Sequence, residues 1–159
     1  MPNANSTRPP TRRRGDDVIA HALRILERRL RRPGVALASP GAVRDYLRLR
    51  LSECDRECFL ALLLDAQNCL IAAPILACGS LTELALRPRE VVRTALAHNA
   101  SAIIVAHNHV SGHLQPSVAD REFTATLRQA LALVDVRLLD HFIVGGRAEP
   151  LSFAERDLL

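Results

Sequence analysis

The sequence predicts an α/β chain of the α+β or sandwich kind, in which strands apolar on both faces are covered by amphipathic helices. Three observations carry that reading. Residues 57–64 and 101–106 are apolar at nearly every position, as strands inside a sheet are. Several other segments repeat their apolar residues at helical spacing. Strands and helices mix without a regular βαβ alternation, and no internal repeat is visible.

Residues 1–15, rich in Pro, Arg, Thr and Asn, are expected to form a disordered basic tail. Residues 16–52 are expected to form an N-terminal helical arm. From Asp16 to Arg32 the apolar positions Val18, Ala22, Ile25, Leu26 and Leu30 recur at helical spacing, and Pro33-Gly34 follows. Asp16 and Asp17 suit the start of that helix, and Arg31 and Arg32 its end, by the sign of the helix dipole. A second helix begins after Ser39, with Pro40 in its first turn, and runs to about Ser52.

Residues 53–159 form the expected catalytic domain. Glu57–Leu64 reads as a central strand, Asp65–Asn68 as a turn and Cys69–Cys78 as a returning strand. Arg89 to about His98 reads as a helix, and Ser101–Ala106 as a short buried strand. A polar loop covers His107–Pro116. A long helix follows from about Val118 to Leu133. Val136–Val144 is the last strand, closed by Gly145-Gly146, and Ser152 is placed to cap a short final helix.

Apolar residues make up 48% of the 159, enough for one domain with a core. No run approaches the ~18–20 uninterrupted apolar residues of a membrane span, so no membrane partner is expected. The polar opening MPNANSTRPPTRRR does not read as a secretory signal, and a cytoplasmic location is expected. Charge is uneven: +8 over residues 1–50 and −4 over the rest. Every cation is Arg, which favours bidentate anion contacts. The basic leader reads either as a solvated tail and helix face or as a weak, non-specific nucleic-acid contact. With aromatics at 3% and no Trp, such contact has no stacking platform and is electrostatic and salt-dependent. Cys54, Cys58, Cys69 and Cys78 contain no C-x-x-C pair and are expected as buried or half-buried thiols.

The chemistry-bearing residues cluster around His107-Asn-His109. Residues i and i+2 of an extended chain point to one side, so two imidazoles can reach one ion. Asp120, in the first turn of the following helix, is the third candidate ligand. Two His and a carboxylate leave a tetrahedral ion one position for water. Ser117-Val-Ala-Asp120 equally resembles a capping box, and capping and ligation compete for the same groups. Glu57 opens an otherwise apolar strand. It reads either as an exposed acid paired with Arg56 or as a general base beside the metal.

His107-Asn-His109-x7-Ser117-x2-Asp120 resembles the JAMM metalloprotease motif of the MPN/JAB domain, related in fold to cytidine deaminases. Pro88-Arg-Glu-Val-Val92, His107–Gly112, Pro116–Asp120 and Leu138-Leu-Asp-His141 with Gly145 narrow the likeness to the RadC-like branch, over roughly residues 17–153. The resemblance implies a curved mixed β-sheet flanked by helices around a Zn2+ site. It further implies zinc held by His107, His109 and Asp120, Ser117 helping to bind the oxyanion, and Glu57 as the base, with Glu53 as the alternative. The implied activity is that of a zinc metallopeptidase or isopeptidase acting on a protein or peptide. Val110 and His113 depart from the branch's usual Pro and Asp. His113 is expected to face solvent, and Asp140-His141 to make structural hydrogen bonds in preference to the alternative, support of the metal ligands from behind. The helix-hairpin-helix region of longer members has no counterpart here, so the short form gains little support for a DNA-repair role; that role stands as the alternative reading.

Overall fold

The structure is a computed structural model and describes residues 14–32, 40–51, 54–79 and 86–159. Glu53, most of the basic tail and the Pro33-Gly34 turn lie outside these residues. The described elements are α1 (Arg14–Leu30), α2 (Pro40–Leu51), β1 (Glu57–Leu64), β2 (Leu70–Ala72), β3 (Ile75–Gly79) and α3 (Pro88–Ala97). They continue with β4 (Ala102–Asn108), α4 (Val118–Ala132), β5 (Arg137–Val144), β6 (Leu151–Ser152) and a 3-10 turn at Ala154–Arg156.

The six strands form one mixed sheet in the order β2-β1-β4-β5-β6, with β3 also paired to β1. β1 runs antiparallel to β4, and β4 parallel to β5. Both central strands are buried on both faces, which is why their sequences show no polar alternation. Period-two side chains sort into two cores. Cys58, Leu60, Leu62, Leu64, Ile104 and Phe142 meet Leu26 and Leu30 of α1 and Val43, Tyr46 and Leu47 of α2. Phe59, Ala61, Leu63, Ile103 and Val105 meet Val91 and Ala95 of α3 and Leu127 and Leu131 of α4. The mixed α/β sandwich with flanking helices is therefore the observed fold. α1 and α2 share a core with the sheet, while Arg24, Arg28 and Arg29 of α1 stay exposed. Val18, assigned to the apolar stripe, is 68% exposed.

Two expectations are corrected. The returning strand 69–78 is broken in two at Ala73-Pro74. Pro has no amide proton for the ladder, and the Pro74 carbonyl accepts from Ala61 N across a register shift. The cysteines are not all thiols. The β1–β3 register sets Cys58 opposite Cys78, and the two are joined by a disulfide, leaving Cys54 and Cys69 free. Register between strands is invisible in a count of cysteines.

After β4 the chain turns back at Gly112, whose φ of +78° suits a residue without a side chain. This loop is pinned to the end of β5, where His109 N donates to the Val144 carbonyl. Gly145 lies so close that a Cβ there would sit 2.7 Å from the Gly112 carbonyl oxygen and 2.9 Å from its carbon. Both are backbone atoms, so neither can swing aside. Gly145→Ala is expected to destabilise the protein by about 1–3 kcal/mol through this overlap. Urea unfolding measures it, and a midpoint equal to that of the parent would refute the close approach.

Candidate metal centre

β4 ends with His107 and Asn108, and His109 follows directly on it; their directions follow from the pleat. His107 and His109 point to the α3/α4 side of the sheet. Asn108, 5% exposed, points to the other. α4 begins nearby, with Ser117 as its N-cap and Asp120 in its first turn. Among the described residues, His107, His109 and Asp120 form the one group whose ligand atoms could hold a metal ion, all within 4.8 Å of one another. His107 Nε2 is 3.3 Å from Asp120 Oδ1, and His109 Nε2 is 3.6 Å from Oδ2.

The expected competition between capping and ligation is resolved by the two oxygens of the carboxylate. Oδ2 accepts from Ser117 N at 2.8 Å and from Ser117 Oγ at 2.7 Å, while Ser117 Oγ accepts from Asp120 N at 3.1 Å. That is a complete capping box. It aims the carboxylate and leaves Oδ1 turned to His107. Burial alone would raise the Asp120 carboxyl. The hydrogen bond with His109, the His107 ring and the Ser117 bonds outweigh it and hold the carboxyl well below its ordinary range.

The tautomers of both histidines are set from behind. Thr124 Oγ1 donates its single proton to the Asp120 carbonyl at 2.6 Å. Its lone pair therefore accepts from His141 Nδ1–H, also at 2.6 Å. His141 Nε2 is then an acceptor, and receives His107 Nδ1–H at 2.8 Å. His107 Nε2 is left as a bare lone pair. His109 Nδ1 lies 2.8 Å from the His113 carbonyl, which can only accept, so in the neutral ring its Nε2 is bare as well. Burial pushes His107 down to about 4, against the pull of Asp120, so the ring is neutral near pH 7. His109 is raised, first by its hydrogen bond to Asp120. Its Nε2 stands 2.9 Å from that of His107. Two lone pairs facing each other beside a carboxylate repel unless a cation, proton or metal ion, lies among them.

Glu57 is half-buried at the start of β1. The pairing of Phe59 with His107, carried one pleat further, sets it opposite His109 on the same face. Its charge contributes to the raised pKa of His109. The Asn108 side chain bonds to the backbone at the start of β1. Its Oδ1 accepts from Cys58 N at 2.7 Å, and its Nδ2 donates to the Arg56 carbonyl at 3.0 Å. The backbone on both sides of Glu57 is thereby clamped.

His141 departs from its expected structural role, because it bonds directly to a candidate ligand. Asp140 keeps that role: it accepts from Ser152 Oγ, Ala154 N and His141 N. His113 is exposed as expected, and only its carbonyl serves the site. Sequence reasoning missed Thr124 and Asn108. The position of Asn108 between two same-side histidines is the signal that could have found it. Thr124, four residues after Asp120 on a helix, carries none.

A sheet with a His-x-His pair at the end of a central strand, against a helix with Asp in its first turn, defines a JAB/MPN-type domain with a potential metal-binding group. The family model described as RadC-like JAB domain matches residues 37–158, and the chain belongs to that family. It is 58% identical over 124 residues to a UPF0758 protein of Dechloromonas aromatica (strain RCB), a match spanning 78% of this chain and 55% of that protein. It is 51% identical over 142 residues to the UPF0758 protein YkfG of Escherichia coli (strain K12), and the match spans 89% of each. To YfjY of the same strain it is 50% identical over 141 residues, spanning 89% of this chain and 88% of that protein. The chain thus spans about half the length of several curated relatives it matches. Among the described residues no helix is long and apolar enough to cross a membrane.

The chain of bonds from Thr124 to His107 generates an expectation. Thr124→Val and His141→Ala should each weaken binding of an added divalent metal ion about 10–100-fold, because the ring of His107 loses its orientation and fixed tautomer. Competition against a chromophoric chelator measures this. Unaltered dissociation constants in both variants would show that the relay does not set the ligand.

Proposed function

We propose that the protein is a zinc-dependent hydrolase of amide bonds, peptidase or isopeptidase in type. The observation that carries the reading is the convergence of two imidazole nitrogens and an ionised carboxylate, His107 Nε2, His109 Nε2 and Asp120, at the edge of a buried sheet. Nitrogen and oxygen donors in this number suit zinc, whose catalytic sites take three protein ligands. A zinc ion held by His107, His109 and Asp120 would supply a Lewis acid for the scissile carbonyl and would acidify a water towards a pKa of about 7.

The chain's own groups do the remainder. The Glu57 carboxylate accepts the proton of the attacking water and returns it to the leaving amine nitrogen, so that one amide and one water become one acid and one amine. The Asn108 bonds to the Arg56 carbonyl and Cys58 N hold the backbone on either side of Glu57, which supports this role. Ser117 orients Asp120 as the structure stands. To serve an oxyanion, its hydroxyl proton must rotate away from Asp120 Oδ2.

Glu57→Gln keeps the shape and removes the base. It is expected to retain zinc at the parent stoichiometry while slowing peptide hydrolysis roughly 10²–10⁴-fold. Cleavage of a mixed peptide library, followed by mass spectrometry on metal-quantified samples, checks both halves. Undiminished cleavage by the variant would remove Glu57 from the mechanism.

A further inference from the structure

A cavity of about 220 Å³ adjoins the metal-binding group. Among the described residues its walls are Phe59, Leu86, Ala119 and Phe123, and its floor is formed by His107, Asp120 and His141. Two of the three candidate ligands therefore face it directly. A group bound at the metal would have its neighbouring atoms in this space.

Three features define what fits. The first is size. The volume is below the ~300–1,000 Å³ that encloses a whole small ligand, so it suits one side chain of a larger substrate. The second is the chemistry of the lining. His107 Nδ1 is committed to His141, His141 Nδ1 to Thr124, and Asp120 Oδ2 to Ser117. Nor does any buried side-chain polar atom among the described residues lack a partner. With His107 Nε2 and Asp120 Oδ1 committed to the metal ion, the described residues turn ring faces and methyl groups to the cavity, and none of them offers a further donor or acceptor to an ammonium, guanidinium or amide. A polar side chain entering it would lose its water without replacement. The third is preorganisation. Phe59 is held edge-on by Phe123, with ring centroids 5.4 Å apart, and stacks along His107. The aromatic wall stands before any ligand arrives.

We infer that this cavity is a substrate subsite that selects a large apolar side chain, aliphatic or aromatic, on a residue flanking the bond to be hydrolysed. The inference rests on the metal-dependent hydrolase reading and adds to it the substrate class. Ala119, exposed in the first turn of α4, is the residue whose enlargement closes the space at least cost to folding.

The test uses the zinc-loaded full chain and simple hydroxamates as probes, with binding measured by calorimetry. Acetohydroxamate reports on the metal alone. 4-Methylpentanohydroxamate and 3-phenylpropanohydroxamate add an apolar group, and a hydroxamate of similar length ending in an ammonium adds a charged one. The apolar probes are expected to bind at least about tenfold more tightly than acetohydroxamate, and the ammonium probe to gain nothing. In Ala119→Leu the ratio of apolar probe to acetohydroxamate, taken on the same sample, is expected to collapse towards one. A ratio near one in the parent, a ratio that survives Ala119→Leu, or an equal gain by the ammonium probe would each overturn the subsite alone. Failure of acetohydroxamate itself to bind zinc-loaded protein would bring down the metal reading and the subsite with it.

Discussion

The functional reading depends on the apposition of two imidazole nitrogens, each left without a proton in the neutral ring by a hydrogen bond made on its far side. His107 gives its Nδ1–H to His141, and His109 gives its own to a loop carbonyl. With both rings neutral, these nitrogens turn lone pairs towards one another and towards the Asp120 carboxylate, within a site where His107 is 1% and Asp120 4% exposed. In so dry a place, unsatisfied lone pairs and an ionised oxygen are costly. A cation among them converts that repulsion into attraction.

Each part of the fold supplies one constraint on that point. The β1–β4 ladder sets Phe59 beside His107 and carries Glu57 to the same end of the sheet. β5 delivers His141 behind His107, and α4 delivers both Asp120 and Thr124, four residues apart on one helix face. The Gly112–Gly145 approach fixes the loop whose carbonyl holds His109. His141, which orients His107, also lines the apolar cavity beside the ligands.

Much of this was legible in the sequence, and for identifiable reasons. His107, His109, Ser117 and Asp120 sit close together along the chain, and strand and helix periodicities fix their relative directions without tertiary information. The two-faced apolar strands announced a sheet covered on both sides. What was not legible lies in contacts between elements. The Cys58–Cys78 bond depends on strand register, and the break at Pro74 on how one strand meets its neighbour's carbonyls. His141 is 34 residues from His107 and Thr124 is 17 from His141, so no spacing rule links them. Capping looked incompatible with ligation because sequence treats Asp120 as one group, whereas its two oxygens face different partners.

The most direct measurement of the central claim is metal analysis of the protein as purified without chelators, joined to X-ray absorption at the metal edge. The account expects about one zinc per chain, with a coordination shell of nitrogen and oxygen donors that shows imidazole scattering and is lost in His107→Ala. Protein free of any transition metal, or a bound metal whose shell is unaltered in that variant, would contradict it.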